Sequence, residues 1–200
     1  MATTLANIIA GPLTVYEGPL GESLPDMDDI APPGITITPG GNWVASGSTQ
    51  EEFHLIYTPT FESVQINEVT APVTAFETSA EAEFSYVQAE DDITAWERTI
   101  ASSTKSTVAA GADQTAQDLL KVGTESSTVT LISLCITGLN PEGGTRLIHG
   151  YRALATGPSD WARARGHMGR TCTYSLYADP AGATGQNLFK VYDITAQASS

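Results

Sequence analysis

Three histidines (His54, His149, His167), two cysteines (Cys135, Cys172) and the cluster Asp26-Met27-Asp28-Asp29 are the side chains whose types suit metal binding or nucleophilic chemistry. Their spacing does not support it. Zinc ligands recur in close pairs, such as two histidines on successive helical turns or two cysteines a few residues apart, and these residues fall in separate segments. The aspartate cluster has the charge for Ca²⁺ but lacks the glycine and the distant bidentate glutamate of an EF-hand loop. No Gly-rich phosphate loop, GxSxG elbow or HExxH sequence occurs. We therefore assign no catalytic residue, no metal ligand and no cofactor, and expect a protein that is not an enzyme. The run Trp161-Ala162-Arg163-Ala164-Arg165-Gly166 sets two arginines beside a tryptophan, too few for a nucleic-acid footprint and equally suited to a loop that docks on a neighbour.

The chemistry that remains is electrostatic. The chain has 200 residues and a formal net charge of −14, and it places sixteen Asp and Glu before its first basic residue, Arg98. All nine Lys and Arg follow, among only seven acids. A surface built from the first part repels any polyanion, while the second part can meet acidic neighbours.

Elements must position these charges, and hydrophobic period identifies them. From residue 77 the odd positions read Glu77, Ser79, Glu81, Glu83, Ser85 and the even ones Thr78, Ala80, Ala82, Phe84, Tyr86, which is the alternation of a half-buried antiparallel strand. Ser63, Gln65 and Asn67 alternate with Val64 and Ile66 in the same way. Ala71-Pro72 marks a turn between the two runs, so Phe61 to Gln88 reads as a long hairpin. Further strands are expected over Leu13–Tyr16, Trp43–Ala45, Glu52–Tyr57, Thr128–Thr137, Arg146–Ala155, Arg170–Tyr177 and Leu188–Ile194. Glycine and proline turns punctuate them, and an antiparallel β-sandwich or barrel follows. One helix starts near Asp91 or Asp92, with Ile93, Trp96 and Ile100 as its core stripe. A weaker helical stretch is expected over Asp113–Lys121, and long loops over about 18–42 and 102–127. The cysteines read as small buried apolar groups, a bridge between them being the lesser alternative. No stretch is apolar enough to span a bilayer, and Met1 to Ala10 lacks the features of a secretory signal, so synthesis and assembly in a cytoplasm are expected.

This order of elements resembles the major tail tube proteins of long-tailed bacteriophages. The resemblance rests on an N-terminal strand and loop, then Trp43-Val44-Ala45-Ser46-Gly47 followed by Glu51-Glu52-Phe53, then the long hairpin. A strand ending in Val87-Gln88-Ala89-Glu90-Asp91 then passes into a helix, and closing strands follow. It covers most of the chain, and its most specific piece is Phe61 to Ala101.

The resemblance implies a single tail-tube domain over residues 1–200, a β-sandwich with a flanking helix. Six copies would form a ring, and rings would stack into a tube lined by one hairpin per subunit, through which double-stranded DNA passes without being bound. It also implies a place in the virion tail and contacts with terminator, tape-measure, distal-tail and chaperone proteins. Carried over by position, the lumen-facing residues are Ser63, Gln65, Asn67, Glu77, Ser79, Glu81 and Glu83. The absence of Lys and Arg there has a physical reason, since each base on the wall would release counterions from DNA and hold it. The bases Arg146, Arg152, Arg163, Arg165, Arg170 and Lys190 are then expected at subunit or ring contacts, paired with acids such as Asp26, Asp28, Asp29, Glu51 and Glu52. Two alternatives stand beside this reading. One is the inner tube of a contractile tail or a type VI-like injection machine. The other is a carbohydrate-binding or adhesin sandwich using Trp43, Trp96 or Trp161 as a stacking platform.

Overall fold

The computed structural model describes residues 13–24, 41–64, 74–89, 93–112, 115–123, 129–139, 145–157, 161–164, 167–182 and 187–194. Its strands are β1 (Thr14–Pro19), β2 (Val44–Val64), β3 (Thr74–Gln88), β4 (Ser103–Val108), β5 (Gln117–Val122), β6 (Ile132–Leu139), β7 (Thr145–Ala155), β8 (Trp161–Ala164), β9 (His167–Leu176) and β10 (Phe189–Ile194). One short helix, α1 (Ile93–Thr99), follows β3. The chain is mainly β, its pairings are antiparallel, and this agrees with the sandwich class expected from the alternation.

Eight strands form one sheet in the order β10-β7-β6-β1-β2-β3-β9-β8. β7 also pairs with β9 over Ala153–Ala155 opposite Leu176–Tyr174, so the sheet folds over until its two arms meet. The core lies in that fold. Val15, Ala82, Phe84, Tyr86, Leu134, Ile136, Ala153, Cys172, Tyr174 and Leu176 are buried together there. Phe84 is the hub of an aromatic group, with ring centroids 4.6 Å from Phe53, 5.5 Å from Tyr86 and 6.3 Å from Tyr174. Rings set at tilted angles at this separation add attraction beyond their buried area.

A second cluster, Tyr16, Trp43, Cys135 and Leu147, lies on the other side of β1, β6 and β7 under Leu24 and Tyr192. Trp43 is held by donating Nε1–H to the Ser23 carbonyl at 2.9 Å. Its ring lies flat on Gly18, where an added Cβ would come within 2.9 Å of it. Gly21 and Gly41 turn the chain on either side with φ of +80°, a region that costs a side chain energy. Cys135 and Cys172 sit in different clusters as buried free thiols. Burial pushes Cys135 up to about 12, which leaves it protonated and unreactive.

Three expectations are corrected. Residues 102–127 are not one long loop: β4 and β5 pair there as a separate two-stranded sheet, and where a helix is expected over Asp113–Lys121 the chain from Gln117 is instead strand β5. The pair is fastened to the helix. Ser103 Oγ donates to the Glu97 carbonyl, and the Lys105 amide donates to Glu97 Oε1 at 2.9 Å. The loop expected over 18–42 begins later, because β1 runs to Pro19; residues 25–40, with Asp26, Asp28 and Asp29, lie outside the described residues. Finally, α1 seats through Ala95 and Thr99, while Ile93, Trp96 and Ile100 are only half-buried. Its expected caps, Asp91 and Asp92, also lie outside the described residues.

Two outcomes follow for stability. Gly18→Ala forces the Trp43 ring to shift and should cost about 1–3 kcal/mol by chemical denaturation; an unchanged midpoint would show that the ring yields freely. His149, opposite Cys135 on β6 and Lys190 on β10, is 7% exposed, and burial first, then the Lys190 charge, push its pKa down to about 4. The unfolded chain takes up that proton near pH ~6.5. Stability should therefore be fully present above pH ~6.5 and fall as the pH drops toward about 4, with His149→Phe flattening that part of the curve. A slope identical in the variant would count against a buried neutral imidazole.

Candidate functional site

The β2–β3 hairpin is longer than the sequence indicated, because β2 begins at Val44 and absorbs three separately expected runs. The turn that joins the strands, with Gln65 and Asn67, lies outside the described residues. At its root the hairpin belongs to the sheet, where β3 also pairs with β9 from Ala82 to Gln88. Further out it leaves the core. Residues 60–64 and 74–79 are exposed on both sides of the ribbon. At about 3.3 Å per residue, the five and six residues of these free strands carry the arm roughly 15–20 Å past the root.

Residues directly opposite on paired strands share a side. Leu55, Tyr57 and Pro59 face Phe84, Ala82 and Ala80, which defines the core side. Ile56, Thr58 and Thr60 face Glu83, Glu81 and Ser79, which defines the outer side. A bulge then intervenes: Thr60 pairs with Ser79 but Phe61 pairs with Glu77, leaving Thr78 unpaired. Beyond it Glu62 meets Phe76, and Ser63 meets Ala75.

The bulge divides the expected lumen row. Ser79, Glu81 and Glu83 share the outer side, whereas Glu77 turns to the core side, where its carboxylate accepts a hydrogen bond from the Tyr57 hydroxyl at 2.9 Å. That bond, ahead of the Glu77 charge, raises the Tyr57 pKa. Ser63 is on the core side as well. The shared face expected for Ser63, Glu77, Ser79, Glu81 and Glu83 is therefore corrected. One extra residue in an antiparallel pair reverses alternation beyond it. Glu62, passed over in the sequence, joins Glu81 and Glu83 on the outer side instead. The only signal for it was the register, which a single sequence does not display.

No base answers these acids. Among the described residues the ion pairs are Arg98–Glu17, Lys105–Asp118 and Arg146–Asp193, and none involves Glu62, Glu77, Glu81 or Glu83. The arm also exposes large apolar groups: Tyr57 and Phe61 on the core side, Ile56, Val64 and Phe76 on the outer side, with Phe61 60% and Phe76 50% accessible. A groove of about 470 Å³ runs beside the root, lined by Ile56, Thr58, Glu81, Glu83, Ser175 and Tyr177 among others.

A buried polar group holds the root in place. Glu17 on β1, 6% exposed, accepts from Ser46 Oγ on β2 at 2.8 Å and from the Tyr174 hydroxyl on β9 at 2.9 Å. Arg98 Nε on α1 lies 3.5 Å from its other oxygen. Burial first, and then the Glu17 charge, drive the Tyr86 and Tyr174 pKa values well up, so both hydroxyls stay protonated as donors. Gln88 on β3 donates to the Ser46 carbonyl and accepts from Arg170 Nη2 at 2.6 Å. The Arg170 guanidinium also sits 5.4 Å from the Trp96 ring centre, which is how α1 locks onto β9.

The expected contact arginines separate accordingly. Arg170 is 2% exposed and internal, which corrects its assignment to a subunit contact. Arg146 makes a bidentate pair with Asp193, directly opposite on β10, at 2.6 and 2.7 Å, so it is engaged within its own chain. Arg152 is half-buried with its Nε unpartnered. Arg163 stands on β8, and its side chain, with those of Trp161, Arg165, Glu51 and Glu52, lies outside the described residues. Among the described residues no cluster of His, Cys, Asp and Glu suits a metal, and no helix is long and apolar enough to cross a membrane.

The chain matches no protein-family profile, and no curated protein matches it.

Glu17→Ala strips the acceptor from Ser46 and Tyr174 and leaves Arg98 without its partner. It should cost about 3–5 kcal/mol in urea unfolding. A loss below ~1 kcal/mol would show that water reaches the site and replaces the carboxylate.

Proposed function

We propose that this protein is the structural subunit of a viral tail tube, with the β2–β3 arm lining a hollow conduit for double-stranded DNA. The observation that carries the reading is an arm that runs past its own core, exposed on both sides, rich in carboxylates and without a base. An isolated two-stranded ribbon showing Tyr57 and Phe61 to water on its core side is poorly stabilised, and copies packed side by side would cover that side and the ribbon's edges. In such a ring the body of each subunit lies on the core side, because that side continues into the buried interior. The outer side is then the one free to face a shared axis, which makes Glu62, Ser79, Glu81 and Glu83 the lumen row. Glu77 and Ser63 turn instead toward the subunit bodies.

The electrostatics suit a channel that must not hold its cargo. DNA presents about one phosphate per 1.7 Å of axis. Carboxylates repel it over a Debye length of ~8 Å at physiological salt, which keeps it centred and mobile. The proposal includes sixfold rings, stacking, and assembly with other tail proteins in a virion. The adhesin reading loses support because two of its aromatic platforms are in use: Trp43 is buried beneath the Leu20–Leu24 segment and Trp96 carries Arg170.

Negative-stain microscopy of the purified chain over a range of concentrations should show hollow rings or filaments. Tubes of the double variant Glu81→Lys, Glu83→Lys should assemble and pellet with linear duplex DNA, whereas the native tubes leave it in solution. A chain that stays monomeric throughout, or variant tubes as indifferent to DNA as the native ones, would overturn the conduit.

A further inference from the structure

A cavity of about 540 Å³ lies on the opposite arm of the sheet from β2–β3, on the outer side of β6, β7 and β10. Its walls come from the Leu20–Leu24 segment, from Ser133, His149, Tyr151 and Arg152, and from Asp179, Pro180, Lys190 and Tyr192. That volume is in the range of sites that take a ligand or an anchoring side chain, ~300–1,000 Å³.

The hydrogen-bonding capacity of the cavity is unevenly used. Both of its carboxylates are occupied: Glu22 accepts from the Asn42 amide and from Asn42 Nδ2 at 3.1 Å, and Asp179 Oδ1 accepts from the Ala181 amide at 3.1 Å. Its nitrogen groups are used only in part, Lys190 being hydrogen-bonded among the described residues to Tyr151 alone. Arg152 Nε is buried without a partner, and so is Nε2 of His149, itself 7% exposed. Among the described residues Arg152 and Lys190 make no ion pair, and the Lys190 ammonium lies 5.6 Å from the Tyr151 ring centre. Buried polar atoms left unpaired cost energy that an incoming acceptor recovers. The unpaired Arg152 Nε–H and the Lys190 ammonium are therefore the groups in this cavity that suit a negatively charged acceptor.

We propose that this cavity receives a carboxylate side chain from the acid-rich first half of a second copy of this chain. The proposal rests on the self-assembly read above and names a contact within it. Charge complementarity supports the second copy as the source. Among the described residues, carboxylates without a base lie on the β2–β3 arm and cations without an acid lie on β7 and β10, the nearer of which is two strands from β3 through β9. A surface whose unmatched acids and unmatched cations occupy different places associates head to tail, which is the heterologous contact that closes into rings.

Carbodiimide coupling tests it, because the reagent joins the Lys190 amine to any carboxylate in direct contact. Tubes assembled from equal amounts of ¹⁴N- and ¹⁵N-labelled chain should yield Lys190 cross-links of mixed label, to an Asp or Glu among residues 1–97 of the other copy. Arg152→Gln and Lys190→Gln, checked for native circular dichroism, should each raise the critical concentration for assembly by about tenfold, the effect of one desolvated charge pair. Tubes in which Lys190 couples only within its own copy, or in which both variants assemble at the native concentration, would overturn the proposal and leave the tube intact. A chain that never assembles would overturn both.

Discussion

Glu17 is the constraint on which the architecture turns. A carboxylate removed from water needs donors, and the ones it finds come from three other elements: Ser46 on β2, Tyr174 on β9 and Arg98 on α1. These are the elements that meet at the root of the long hairpin. Displacing any of them leaves charge uncompensated in the interior, so the group fixes the angle at which β2 and β3 leave the core as well as holding the helix down. Arg170 on β9, caught between Gln88 and Trp96, repeats the arrangement with opposite sign. The polar end of the interior thus does what the apolar end cannot. It specifies direction, whereas the Phe84 cluster supplies cohesion without much orientation.

Much of this was legible in the sequence where one side of a strand meets water and the other meets core. The alternation over Ala82, Phe84 and Tyr86 against Glu81 and Glu83 gave the right sides because both environments exist at those residues. Extending it to Glu77 failed, since Thr78 is an ordinary strand residue and nothing in its type announces an unpaired position. Ser63 and Glu62 are a different case: β2 alternates without interruption from Leu55 to Val64, so their sides are set by Leu55 and Tyr57, which a polar residue type does not announce. β4 and β5 were missed because both their faces are largely wet, so the Ser- and Thr-rich pattern looked like a loop and Leu119-Leu120 like a helical anchor. Trp96 was read as core because its spacing with Ile93 and Ile100 forms a stripe. Its partner, the Arg170 guanidinium, lies on a distant strand that spacing cannot bring near. Glu17 carried no sequence signal at all, being one acid in a short strand.

The distribution of charge and the topology answer one another. The half of the chain without Lys or Arg supplies β1, β2 and β3, and the strands that bear cations flank it on both sides of the sheet. Within the subunit only one acid of that half, Glu17, is matched by an ion pair among the described residues, and it takes the first base to follow, Arg98. The remaining imbalance is displayed outward, where it acts on other molecules.

β1 has a consequence for how the chain is made. It pairs with β2 on one edge and with β6 on the other, so Thr14 meets Ser48 early but waits for Thr137, and the first strand is not enclosed until more than half of the polypeptide has left the ribosome. By residue 137 the emerging segment carries its apolar strand residues with nineteen acids against three bases, Arg98, Lys105 and Lys121. Neighbouring nascent chains on one message therefore repel each other while they are most adhesive. Six of the nine bases follow β6, so the same asymmetry that shapes the finished surface also keeps copies apart until the sheet can close.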